Sequence, residues 1–264
     1  MVWVNGETQS ALAVSDRAVQ FGDGCFTTAR VEQGTVVQLN AHLERLHQGC
    51  ERLLITGVDW EALRREMTEI VEGQEEGVLK VIVTRGSGGR GYSAAGCSSP
   101  ARILSVSPYP QHYHRLRESG ARLAISPVRL GKNPLLAGIK HLNRLEQVLI
   151  RAQLDQTDAD EALVLDTDGM LVECCAANFF WRVGNEVFTP DLSASGVNGI
   201  QRQDIMRRAT ELGFTVSEVR AGPEVLAAAE EVLITNALMP VLPVYQIETW
   251  HYGSRRLFQL LSPH

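Results

Sequence analysis

Two spacings of apolar residues run through this chain, a strand-like alternation and a helical repeat of about 3.6. Residues 2–4 and 10–14 read as short strands around Asn5-Gly6, a dipeptide that favours a hairpin turn. Residues 25–31 and 36–39 are also strand-like, parted by Gly34. After Asn40, a candidate helix cap, Leu43, Leu46, Cys50 and Leu53 or Leu54 share one helical face, with Arg45 off that stripe. Asp59 caps a second predicted helix that buries Trp60, Leu63, Met67 and Ile70. Strands over 78–84 and 102–107 follow, joined by a glycine-rich loop.

Pro108, Pro110 and the polar run 111–119 then break all periodicity. The break predicts a smaller N-terminal α+β lobe over 1–109, a connector over 110–119 and a larger C-terminal lobe over 120–264. In the second lobe the pattern predicts a strand at 122–126 and a helix over 143–154 that turns Leu145, Val148, Leu149 and Ala152 inward. Strands at 161–165, 170–175, 178–183 and 186–189 are punctuated by Thr167-Asp168-Gly169 and Gly184-Asn185. A helix over 201–212 stops at Gly213, followed by a strand at 214–219, a short helix near 223–229 and a strand at 231–235. Strands come in runs, so the fold class is α+β rather than a doubly wound sheet.

Composition narrows the functional classes. The 264 residues are 44% hydrophobic and 21% charged, and the net charge of −6 argues against nucleic acid as a partner. No apolar run reaches the roughly 20 residues that cross a membrane, and the first residues lack the features of a signal peptide. Five scattered cysteines do not form a disulfide framework, and neither HExxH nor CxxC is present. The expectation is a cytoplasmic protein with a small-molecule ligand and no metal.

Lys140 lies in Ala137-Gly138-Ile139-Lys140-His141-Leu142-Asn143, a short irregular stretch before a helix. It is either an ordinary exposed lysine or, given its apolar flanks, a neutral nucleophilic amine. Glu173, in Leu171-Val172-Glu173-Cys174-Cys175, sits on the strand face of Leu171 and Cys175, at an exposed edge or against a buried cation. Gly196-Val197-Asn198-Gly199-Ile200-Gln201 opens a helix and offers backbone N–H groups to an anion, unless it is a plain loop. Asn236-Ala237 ends a strand and adds donors, and Arg45 offers either a fixed charge or a solvated one. Gly86-Ser87-Gly88-Gly89-Arg90-Gly91-Tyr92 lacks the GK[ST] ending of a nucleotide loop. It reads as a flexible loop that presents Arg90 and Tyr92 to a carboxylate, or as a simple hairpin connection.

Taken together, these segments resemble the fold-type IV pyridoxal phosphate enzymes, a group that holds branched-chain aminotransferases, D-amino acid aminotransferases and 4-amino-4-deoxychorismate lyases. The likeness rests on residues 21–30 (FGDGCFTTAR), 138–147 (GIKHLNRLEQ), 173–178 (ECCAAN), 84–92 and 236–240. It spans roughly residues 1–244.

The resemblance implies two α+β lobes with pyridoxal 5′-phosphate between them, and a homodimer. It makes Lys140 the Schiff-base lysine and Glu173 the partner of the pyridine nitrogen. It places Arg45, Gly199, Ile200, Gln201, Asn236 and Ala237 near the phosphate. Aminotransferases of the group usually carry glutamate at the position of Thr27, whereas this chain has Thr27-Thr28, as the lyases do. Cys175 and Ala176 stand where serines often follow the glutamate. The expected reaction is therefore elimination, giving 4-aminobenzoate and pyruvate. Thr28, with Thr27 the lesser candidate, would assist proton delivery, and Arg90, Tyr92 and Thr27 would line the substrate. The alternative is a branched-chain or D-amino acid aminotransferase on the same scaffold.

Overall fold

A computed structural model describes residues 1–262. They fall into two compact units, one of Met1–Tyr109 with Ile139–Asn143, the other of Pro110–Gly138 with the chain from Arg144 on.

The first unit contains β1 (Val2–Val4), β2 (Glu7–Thr8), α1 (Arg17–Phe21), β3 (Gly24–Glu32), β4 (Thr35–Val36), α2 (Leu39–Arg52), α3 (Trp60–Glu69), β5 (Glu76–Thr84) and β6 (Ala101–Ser107). Its strands form one antiparallel sheet in the order β2-β1-β6-β5-β3-β4. The strand predicted over 10–14 is instead β2. Asn5 and Gly6 both have positive φ, so the two-residue turn returns the chain at Glu7, opposite Val4. Helix α2 begins at Leu39, one residue before its predicted cap. The Asp59 cap of α3 forms as expected, with its carboxylate accepting from Ala62 N at 2.9 Å. Alternate residues of β3 (Cys25, Ala29, Val31) and β5 (Leu79, Val81, Val83) pack with Leu43, Leu46, Leu63 and Met67 to form the core.

The second unit runs α4 (His112–Ser119), β7 (Ala121–Ile125), α5 (Leu145–Leu154), β8 (Glu161–Leu165), β9 (Leu171–Cys174), β10 (Asn178–Val183), β11 (Glu186–Pro190), α6 (Ile200–Glu211), β12 (Thr215–Val219), a 3-10 turn (Pro223–Ala228), β13 (Glu231–Thr235), β14 (Leu242–Ile247), β15 (Trp250–His251) and α7 (Arg256–Leu261). Its mixed sheet has the order β12-β11-β10-β13-β14-β7-β8-β9, with β15 on β14.

Three expectations change. The polar stretch read as a connector forms α4, because Leu116 anchors it in the second unit's core. The lysine-bearing segment 139–143, expected in the C-terminal lobe, belongs to the first unit because it pairs with β3. Helix α5 is turned the other way: Ile150 and Leu154 are buried, while Leu145, Val148 and Leu149 are exposed, Leu145 by 78%. Among the described residues no helix is long and apolar enough to cross a membrane.

Candidate active site

In the first unit, Phe26 N donates to Lys140 O at 2.9 Å and Leu142 N to Gly24 O at 3.0 Å, with Cys25 bridged to His141. The five residues thus act as a short extra strand beside β3. The pleat puts Cys25 and His141 on one face and Phe26 and Lys140 on the other. Lys140 Nζ lies 4.8 Å from the centre of the Phe26 ring. Gly22 holds this join close, since a Cβ there would come within 2.7 Å of Asn143 Oδ1.

Thr28 shares the face of Phe26 and Lys140, and Thr27 does not. Thr27 is fully buried on the α2 side, where its Oγ1 lies 2.6 Å from His42 Nδ1. That position removes Thr27 from the expected substrate lining. Burial and the neighbouring Arg45 charge push the His42 imidazole down to about 3, so it stays neutral beside the threonine. Arg45 is half-buried, and desolvation lowers it to about 10. Lys80, opposite Thr28 on β5, adds a second amine 5.3 Å from the Phe26 ring.

In the second unit, Glu173 is 5% exposed and its Oε2 accepts from Val197 N at 2.8 Å. The expected face was half right. Leu171 pairs with Leu165 and Glu173 with Val164, so Val172 is an extra residue and the strand bulges there. The bulge moves Leu171 to the face of Leu163 and Leu165, and leaves Glu173 on the face of Val164, which packs in a different cluster. Gly196 (φ +87°) closes over this carboxylate. A Cβ there would lie 2.8 Å from both Val172 Cγ1 and Leu192 Cδ2, and 3.3 Å from Glu173 Oε2. Arg144 is largely desolvated, which lowers its pKa, while the charge of Glu173 acts in the opposite sense.

Gly199 precedes α6 in an extended conformation, and no side chain caps that helix. The start of α6, with Ile200 and Gln201, therefore presents backbone N–H groups and the positive end of the helix dipole. Gly199 cannot carry a side chain, because a Cβ would overlap Asn178 Oδ1. The Asn178 amide in turn donates to Val197 O at 2.8 Å. At the end of β13, Asn236 Oδ1 accepts from Leu238 N and Met239 N, both at 2.9 Å, and its Nδ2 donates to Ala176 O at 3.0 Å. Its side chain braces the turn and its backbone N–H donates to Met239 O at 3.1 Å, so any anion contact from Asn236-Ala237 would come from the Ala237 N–H. The Cys175 thiol donates to Gln147 O and is pushed up by burial to about 12, so it does not replace a serine as an anion donor.

Residues 24–247 match the model of the Amino-transferase class IV family. This chain belongs to that family. The class IV chain is 37% identical over 244 residues to aminodeoxychorismate lyase of Vibrio harveyi, covering 92% of this chain and 90% of that one. The crystal structure of 4-amino-4-deoxychorismate lyase from Pseudomonas aeruginosa matches it with a TM-score of 0.93 and 39% identity, covering 99% of this chain and 98% of the other. A D-alanine aminotransferase of Bacillus licheniformis is 26% identical over 250 residues, covering 94% and 87%. Within this class IV fold, sequence reading missed His42 and Asn178. His42 left a trace, a histidine next to Leu43 on the apolar stripe of α2, and Asn178 closes the segment 173–178 that carries the resemblance, without a role assigned to it.

Proposed function

We propose that this class IV enzyme is a pyridoxal phosphate-dependent lyase that converts 4-amino-4-deoxychorismate to 4-aminobenzoate and pyruvate. The observation that carries the reading is near-full-length identity of 37% and 39% to two lyases, against 30% to a protein named as a branched-chain aminotransferase and 26% to a D-alanine aminotransferase. The Thr27-Thr28 pair, with Thr28 on the face of Lys140, points the same way.

The residues suit the cofactor. Glu173 is a buried carboxylate whose Oε2 accepts from Val197 N, and a protonated pyridine nitrogen would be a further partner of matching charge. Gly196 and Gly199 let the backbone pass close to Glu173 and Asn178, where a Cβ would not fit. The uncapped start of α6 suits a phosphate, and Arg45 and the Ala237 N–H would be further contacts.

When bound, the cofactor supplies a sink for the electron pair left on the substrate carbon that bears nitrogen. The side chains do the rest. Lys140 Nζ would hold the cofactor and, as a free amine, would take the proton from that carbon. Thr28 Oγ1 steadies the amine and relays the proton. Glu173 would favour the protonated form of the ring nitrogen. Arg90 and Tyr92 bind substrate carboxylates. Loss of the enolpyruvyl oxygen is driven by aromatisation of the substrate ring. The working form is a cytoplasmic homodimer: the exposed leucines of α5 supply an apolar face, and none of the five cysteines is in a disulfide.

Incubation with aminodeoxychorismate should release fluorescent 4-aminobenzoate and pyruvate. Amino transfer to 2-oxoglutarate without 4-aminobenzoate would assign the chain to the aminotransferase alternative. Lys140→Ala should lose about 10³-fold or more in turnover and yield no borohydride-trapped adduct at that peptide. An active, trappable alanine variant would end the assignment.

A further inference from the structure

Arg17 opens α1 and is almost fully buried, which is unusual for so strongly hydrated a group. Its partners explain the burial. Nε donates to Asp23 Oδ2 at 2.8 Å. Nη1 donates to Gly91 O at 2.9 Å and to Ser93 O at 3.2 Å, and Nη2 to Tyr92 O at 3.3 Å. Three consecutive carbonyls of the glycine-rich loop therefore converge on one guanidinium. At Gly89 (φ +74°) a Cβ would overlap Ser93 O and lie 3.2 Å from Nη1, so a side chain there would push into the clamp. The Phe21 ring sits 4.8 Å from the Arg17 carbon and 5.5 Å from the Tyr92 ring.

The base of the loop is pinned by other groups. Thr84 Oγ1 donates to Asp16 Oδ2 at 2.8 Å, and Arg85 donates to Asp23, Leu53 O and Leu54 O. Arg17 takes the tip, next to Arg90 and to Tyr92, which is 90% exposed. A charged fork that binds carbonyls has no need of an ion pair alone. Asp23 already has Arg85 at 2.7 Å, so it stays neutralised when Arg17 is changed.

We propose that Arg17 is a positioning residue for substrate binding, a clamp on three loop carbonyls that holds Arg90 and Tyr92 where they meet a carboxylate-bearing substrate. The proposal rests on the reading of Arg90 and Tyr92 as substrate contacts. The geometry requires a planar fork with several donors at fixed angles, and a lysine ammonium, one point charge, cannot serve Asp23 and three carbonyls together.

The test compares the holoenzyme with Arg17→Lys, Arg90→Ala and the double variant. Each is followed by steady-state kinetics, by the cofactor absorbance band and by chymotrypsin cleavage after Tyr92. Arg17→Lys should keep the cofactor band, raise KM about tenfold with kcat within about twofold, and speed cleavage by about tenfold. In the Arg90→Ala background the same change should raise KM little further, because the clamp acts through that side chain. Unchanged cleavage in Arg17→Lys overturns the clamp. So does a fall in kcat with loss of the cofactor band, which marks a role in the fold alone. Faster cleavage with a normal KM in Arg90→Ala keeps the clamp and overturns the substrate reading on which it was built.

Discussion

At the scale of single residues, the buried carboxylates divide by what answers their charge. Glu173 has the Val197 N–H and the charge of Arg144. Glu161, on β8, has backbone donors, Ala162 N at 2.8 Å and Ala176 N at 3.2 Å. Burial nevertheless pushes Glu161 up to about 7, with Arg151 only partly offsetting it. An acid whose folded pKa is raised favours folding below its unfolded pKa of 4.5 and loses that advantage as pH rises through 7. Comparing wild type with Glu161→Gln by urea midpoints should therefore show the difference shifting toward the variant by a few kcal/mol between about pH 4.5 and 7, then levelling. A difference constant over that range would show that Glu161 is ionised in the folded state. Residue type alone left Lys140 and Glu173 open and only the family resemblance gave them roles; the structure decides one of those alternatives, since Glu173 is buried rather than at an exposed edge. Thr27 was misread as substrate lining, because two adjacent threonines do not reveal which one faces the helix.

At the scale of elements, the turn 196–199 joins Glu173 to α6. Gly196 and Gly213 have the same φ of +87°, but the first is enclosed and the second has nothing near its missing Cβ. Alanine at 213 should cost about 1 kcal/mol, from the backbone alone. Alanine at 196 should cost about 2–4 kcal/mol, because it also overlaps Val172 and Leu192. Urea unfolding of both variants checks the pair, and equal losses would refute the packing argument. Helix α7 gives a similar lesson. Buried Glu231 accepts from Leu257 N at 2.9 Å and Phe258 N at 2.8 Å, in its first turn, and from Arg182 Nε at 3.0 Å. The tail carried no readable pattern because its anchor lies some 26 residues upstream. Most strands were legible from alternation, but the bulge at Val172 was not, since an inserted residue changes face without changing residue type.

At the scale of the whole molecule, the α+β class followed from runs of strands, and the sheets bear it out. The orientation of α5 did not follow. Its apolar face was expected inside because apolar positions normally are, yet Leu145, Val148 and Leu149 are exposed. A second copy of the chain is the proposed cover. Replacing Val148 and Leu149 with aspartate should shift the sedimentation coefficient from dimer to monomer at micromolar concentration, with far-ultraviolet circular dichroism preserved. An unchanged dimer would place the interface on another face.

The five residues around Lys140 bear on how such enzymes can be recombined. They belong to the first unit, although some thirty positions of the second precede them in the chain. A crossover near residue 110 that looks clean on paper would thus lay a stranger's 139–143 segment against the native β3. Chimeras spliced there should bind cofactor poorly unless the parental stretch 139–143 travels with the N-terminal donor, so the useful breakpoints in this family are three, not one.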